Sequence, residues 1–138
     1  MEGIRGLQDV EAIEAHGLPP DLPASTYELI RRGAQLDPAA PALSFFLRTD
    51  EHAAPETWSY AELLGKLHQA ANFFHGLGIG KDGVVAFVLP NLPETHWTIW
   101  GGEAAGIVGA INPLLEPDAI AELLNAMEAS VLVTLAPF

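Results

Sequence analysis

The sequence predicts an α/β fold: a partial doubly wound parallel sheet of βαβαβ type, preceded by a helix and a β-hairpin. Three observations point to it. GVVAFVLP at 83–90 is a short, continuous apolar run, the pattern of a strand buried on both faces. Two more strand-like runs follow, IVGAIN at 107–112 and VLVTL at 131–135. The intervening stretches, 91–105 and 117–128, open on prolines and carry helical periodicity, which makes them crossovers between parallel strands. A chain of 138 residues with 49% apolar and 17% charged side chains is one ordinary domain, and its mean hydropathy of +0.23 lies far from the disordered regime.

In chain order, residues 7–15 predict a short helix, and GLPPDLP at 17–23 predicts an extended connector. The domain proper is expected to start near Ser25, whose spacing to Glu28 fits a capping box. Leu29, Ile30, Ala34 and Leu36 then give a helix an apolar side that ends at Asp37 and Pro38. ALSFFL at 42–47 and TWSY at 57–60 read as the two strands of a hairpin with a long polar loop. Ser59 and Glu62 form a second capping box. Behind it Leu63, Leu67, Ala70, Ala71, Phe74 and Leu77 fall within about 120° of one another at 100° per residue. Glu62 and Lys66 stand at the favourable i,i+4 spacing, and Gly78 supplies a left-handed stop.

After the strand at 83–90, Asn91 with Pro93 and Glu94 predicts a helix to about Ala105. It carries Trp97, Trp100 and Ala104 on one side and Leu92 and Ile99 nearly opposite, so it is expected to be buried on two sides. Pro117 opens the last helix, with Ile120, Leu123, Leu124 and Met127 facing the core, and VLVTL is expected to be a buried strand.

Charge and composition exclude several functions. Six cations, Arg5, Arg31, Arg32, Arg48, Lys66 and Lys81, are dispersed against 18 carboxylates, for a net charge of −12. Such a chain offers no basic stripe for nucleic acid or an anionic membrane surface. The absence of Cys rules out disulfides, thiol catalysis and thiolate metal sites. The N-terminal MEGIRGLQDVEAIEAHG is acidic and amphipathic and is expected to carry no export address. The most apolar stretch, 97–115, is interrupted by Glu103, Asn112 and Pro113, which argues against a membrane span and for a soluble, cytoplasmic protein.

Several motifs and side chains could carry chemistry. GIGKDG at 78–83 matches GxGxxG literally, but a helix precedes it and a strand follows, the reverse of the order that aims a helix N-terminus at a phosphate. Lys81 is followed by Asp82 where a phosphate loop needs Ser or Thr. His68 and His75 are seven residues apart, about 10 Å along a helix, too far to share an ion bound at about 2 Å. His96 and Glu103 fail the same test. Glu103 sits in the last turn of its helix, where a carboxylate opposes the dipole, and is expected to meet a cation or solvent. Of Ser25, Ser44, Ser59 and Ser130, none lies in a GxSxG elbow and two serve as caps. No catalytic, cofactor-binding or metal residue is assigned.

From about Ser25 to Thr134 the chain resembles the N-terminal part of the AMP-forming acyl-CoA synthetases, the adenylate-forming superfamily. The resemblance rests on SYAEL (59–63), LPNLPE (89–94) and AGIVGAINPLLEP (105–117) in that order and spacing. It implies the N-terminal part of that family's large domain, with residues 1–24 a leader and connector and 25–138 a truncated α/β subdomain. It also implies ATP, Mg and CoA as cofactors of a full-length enzyme that forms an acyl adenylate, on a fatty acid for preference, and passes the acyl group to CoA. The family's Ser/Thr/Gly-rich phosphate loop and its later ATP motifs have no counterpart before Phe138, and Glu116 stands where the family often has a hydroxyl residue. The segment alone is therefore expected to be inactive and to hold no cofactor. Its expected partners are the remainder of the synthetase chain and, through exposed Phe73 and the two-sided helix, a second copy of itself. A freestanding acidic interaction module is the alternative.

Overall fold

The computed structural model describes residues 4–17 and 21–136. Residues 18–20 of the expected connector lie outside the described residues. The elements are α1 (Leu7–Glu14), α2 (Thr26–Leu36), β1 (Pro41–Phe45), β2 (Glu56–Ser59), α3 (Tyr60–Gly76), β3 (Val84–Val88), α4 (Pro93–Ala105), β4 (Ile107–Ala110), α5 (Pro117–Ala126) and β5 (Val131–Thr134). None of the helices is long and apolar enough to cross a membrane among the described residues.

β3 is buried along its whole length because it is central in a three-stranded sheet of order β4-β3-β5. Both neighbours run parallel to it, with Val84 opposite Ile107 and Val85 opposite Val131. Alternate residues of β3 feed two cores. Val85 joins Phe74, Ile79 and Ala105 under α3 and α4, with Val131 and Val133 packed alongside. Ala86 and Val88 join Ile111 on the other face, under Ile120, Leu124 and Met127 of α5. Helices on both faces make the sheet doubly wound, as expected. β1 and β2 form a separate antiparallel hairpin with an irregularity between Pro41 and Leu43. Its Trp58 meets Trp97 of α4 edge to face, with ring centroids 5.3 Å apart.

Several expectations need correction. Leu123 is exposed and Leu132 is 44% exposed, so α5 covers less than periodicity suggested and β5, an edge strand, is half-buried on one face and exposed on the other. On α2 only Ile30 is buried, while Leu29 is 58% and Leu36 89% exposed. The Ser25 box has one arm. The Ser25 hydroxyl accepts from Glu28 N at 3.2 Å, but the Glu28 carboxylate turns to Arg31 and Arg32. In α3 both arms of the box form, with one Glu62 oxygen accepting from Ser59 N (2.8 Å) and Oγ (2.7 Å), and no Glu62–Lys66 ion pair forms among the described residues.

Leu92, not Asn91, is the N-cap of α4, with no side-chain cap. The face α4 buries consists of Thr95, Thr98, Gly101, Gly102 and Ala105. Trp97 and Trp100 are half-buried against the Ile30, Leu63 and Leu67 cluster, and Ala104 is exposed. The burial expected on two sides is thus corrected: the fully buried face of small residues lies on neither expected side, while Trp97 and Trp100 on one and Leu92 and Ile99 on the other are only half-buried. Phe73 is 61% exposed, as its position off the core stripe of α3 predicted.

Candidate functional site

A groove of about 860 Å³ runs between the start of α2, one side of α3 and the α4–β4 junction. It exists because small residues, Ala71, Ala104 and Gly106, form its floor while larger polar side chains stand on its walls. α2 brings Tyr27, α3 brings His68, Asn72 and His75, and the last turn of α4 brings Glu103. The Tyr27 hydroxyl and His68 Nε2 are 3.0 Å apart, a hydrogen bond across 41 residues of chain that fastens α2 to α3. His75 Nδ1 donates to the Ile79 carbonyl at 2.9 Å, which leaves its Nε2 as the free ring nitrogen.

The walls thus offer hydrogen-bonding groups and one carboxylate. His68, His75, Asn72 and Glu103 are all exposed, Ser25 is committed as a helix cap, and no group of three metal-ligating side chains converges among the described residues. The ionisations the fold perturbs most clearly lie elsewhere. Hydrogen bonds from Arg31 first and Arg32 second pull Glu28 down from 4.5 to about 2. Arg48 lowers Asp50, and the Ser59 backbone and then its hydroxyl lower Glu62. These are clasps and caps.

The two pairs at a spacing of seven fare differently. His68 and His75 do line one groove, and Glu103 joins them there. His96 does not. Its Nδ1 donates to the Leu92 carbonyl at 3.0 Å and its ring packs edge to face on Trp100, 5.2 Å between centroids. Tyr27 and Asn72 escaped sequence reasoning, since only the packing of α2 on α3 brings them in.

GIGKDG is a turn. Gly78 has φ +87° after α3, Gly83 N donates to Gly80 O at 2.8 Å, and Lys81 lies 3.8 Å from Asp82 in open solvent. The turn enters β3 and therefore lies at the amino end of the parallel strands, whereas ligands of open α/β sheets bind beyond the carboxyl ends. A Cβ on Gly106 would run into the Gly83 and Gly80 carbonyls, so this glycine seats the turn against the head of β4.

A doubly wound parallel layer with a docked hairpin defines a domain of the α/β class. Residues 30–137 match the AMP-binding enzyme family, and the chain belongs to it. It is 34% identical over 137 residues to a marinolic acid–CoA ligase of Pseudoalteromonas sp. (strain SANK 73390), covering 99% of this chain and 21% of that protein. It is 39% identical over 82 residues to a crotonobetaine/carnitine–CoA ligase of Salmonella arizonae, covering 59% of this chain and 16% of that protein. The chain thus spans about a fifth or less of the length of the curated relatives it matches. Its fold superposes on the N-terminal domain of FACL13 from Mycobacterium tuberculosis with TM-score 0.71 and 21% identity, covering 80% of this chain and 27% of that one. A Mycobacterium tuberculosis fatty acyl CoA synthetase superposes at TM-score 0.67 and 21% identity, covering 80% and 21%.

Proposed function

We propose that this chain is the first α/β layer of an AMP-forming acid–CoA ligase, in which residues 25–138 build the layer and residues 1–24 lead into it. In this reading the whole enzyme is cytoplasmic. It joins a carboxylic acid, fatty in class, to ATP with Mg, releasing pyrophosphate and forming the acyl adenylate. CoA then displaces AMP to give the thioester. One observation carries the reading, the collinear similarity of nearly the entire chain to a marinolic acid–CoA ligase. The share of the chain is structural: it supplies a two-faced sheet against which the remaining chain packs.

The residues present do not fit a triphosphate. Its recognition needs converging N–H donors and cations. Here Lys81 is exposed beside Asp82, and the Gly-rich turn sits at the wrong end of the strands. We read none of the groove residues as catalytic. Isothermal titration of the 138-residue chain with MgATP is expected to show no binding tighter than about 1 mM, roughly −4 kcal/mol. Tighter binding would place a nucleotide site within this segment. The codons after Phe138 test the larger reading. A continuing frame with a Ser/Thr/Gly-rich, Lys-containing loop supports it, and a stop codon favours a freestanding interaction module.

The exposure of Phe73 at 61%, with exposed Leu77 one turn on, favours one addition: the isolated chain associates with itself through this strip of α3.

A further inference from the structure

The groove between α2, α3 and the α4–β4 junction has an electrical polarity. α3 and α4 run side by side in the same direction: Trp97 and Trp100 pack with Leu63 and Leu67, Gly101 lies against Ala70 and Ala71, and Ala105 joins Phe74. Both helices therefore finish at the same end of the groove, and the free carbonyls of each carry about half a negative charge. Glu103, in the last turn of α4, adds a full charge there. No Lys or Arg lines the groove to offset it, and Glu103 forms no ion pair among the described residues.

The hydrogen-bonding groups have the same bias. With its Nδ1 donating to the Ile79 carbonyl, His75 presents Nε2 as a lone-pair acceptor in the neutral ring. Asn72 is exposed between the two histidines and adds an amide oxygen. The other end of the groove is aromatic. Tyr27 and His68 bond to each other, their ring centroids 5.8 Å apart, about 10 Å along α3 from His75. α2 begins at that end, so its positive N-terminus stands away from Glu103.

A negative, acceptor-rich end, an aromatic end and a floor of Ala71, Ala104 and Gly106 ask for a flat cation that donates hydrogen bonds. The geometry points to a binding site for a small guanidinium compound with an apolar body. Its fork of N–H donors meets the Glu103 carboxylate and His75 Nε2, and its body lies across Ala71 and Ala104 toward the Tyr27 and His68 rings. An ammonium group suits the groove less well, being a compact point charge that neither spreads over a floor without long side chains nor stacks on rings. The volume of about 860 Å³ lies within the range of about 300–1,000 Å³ of small-molecule sites. Gly106 and Ile107 place the groove at the amino end of β4, opposite the carboxyl ends where α/β sheets bind their ligands. The site does not rest on the ligase reading.

Phenylguanidine and its neutral isostere phenylurea test it, followed by amide NMR of the 138-residue chain. Phenylguanidine is expected to shift the Ala71, Asn72, Ala104 and Gly106 signals along one saturable curve, and phenylurea to bind about fivefold or more weakly. Glu103→Gln should weaken phenylguanidine by a similar factor, while Glu122→Gln, an exposed carboxylate on α5, should leave it unchanged. Ala104→Leu, at an exposed position, should block the floor and abolish binding with the fold intact. Equal affinity for phenylurea, or unchanged affinity in Glu103→Gln, overturns the site. So do shifts as large around Asp118 and Glu122 as in the groove, since the net charge of −12 would then be collecting the cation anywhere.

Discussion

Glu28 holds two arginines at once. Its carboxylate accepts from Arg31 Nε at 2.8 Å and Nη2 at 2.9 Å, and from Arg32 Nε at 3.1 Å. The depressed pKa of about 2 follows from those bonds, with Arg31 first. Because the folded value lies below the ordinary 4.5, this clasp contributes fully above about pH 4.5 and is lost as pH falls through 2. Glu28→Gln is therefore expected to lower the urea midpoint near neutrality, the gap narrowing below pH 4.5 and vanishing near 2. A gap independent of pH would mean that Glu28 acts by shape. Two glycines make a second residue-scale contrast. A Cβ on Gly101 would lie 2.5 Å from the Ala70 Cβ and 3.1 Å from the Leu67 carbonyl, so Gly101→Ala should cost about 1–3 kcal/mol in denaturant unfolding. Gly65 faces open space in the middle of α3, and Gly65→Ala should stabilise by about 0.5–1 kcal/mol. The groove was legible only in fragments at this scale. Counting along one helix correctly removed the metal pairs, but it could not show that Tyr27 on α2 reaches His68, because that contact depends on how two helices pack.

Elements differ in how openly the sequence declares them. α3 does so at its first residues, where Ser59 and Glu62 satisfy each other's backbone donors, with Glu62 N on Ser59 Oγ at 3.3 Å. Ser59→Ala should cost about 1 kcal/mol. It should also raise the Glu62 pKa partway toward the ordinary carboxylate value, because the hydroxyl arm goes while the backbone arm stays. Carboxyl titration by NMR in the variant reads this, and an unmoved Glu62 would remove the hydroxyl from the account. β3 declared itself through five consecutive apolar residues, and all five are buried. α4 hid its packing face. Hydropathy periodicity selects large apolar side chains, whereas α4 meets α3 through Gly101, close to the Leu67 and Ala71 backbone, and buries threonines whose hydroxyls bond within α4 or just ahead of it, Thr98 to Glu94 O at 2.8 Å and Thr95 to Pro90 O at 2.6 Å. Smallness, not hydrophobicity, decides that contact. Leu123 and Leu132 erred the other way, since periodicity marks which side of an element is apolar but not how far the neighbouring element extends over it.

At the scale of the molecule, two opposed effects decide what the isolated chain does in solution. Phe73 and Leu77 lie one turn apart on α3 and are exposed, and Leu114, Leu123 and Leu132 are exposed around α5 and β5. Burying apolar surface returns about 25 cal/mol per Å², so a shared patch of a few hundred Å² favours pairing by several kcal/mol before association entropy is subtracted. Against it stands a net charge of −12 on each chain. Salt separates the two, since it shortens charge repulsion to about 8 Å at physiological strength and leaves apolar contact intact. Sedimentation velocity is therefore expected to show association that strengthens as ionic strength rises. Phe73→Asp should abolish it with little change in the unfolding midpoint, because Phe73 lies outside all three buried clusters and touches the core only through the Phe74 ring, 5.7 Å between centroids. Association that weakens with salt would mean that ion pairs join the copies. A monomer at every ionic strength would mean that the patch is too small to overcome association entropy.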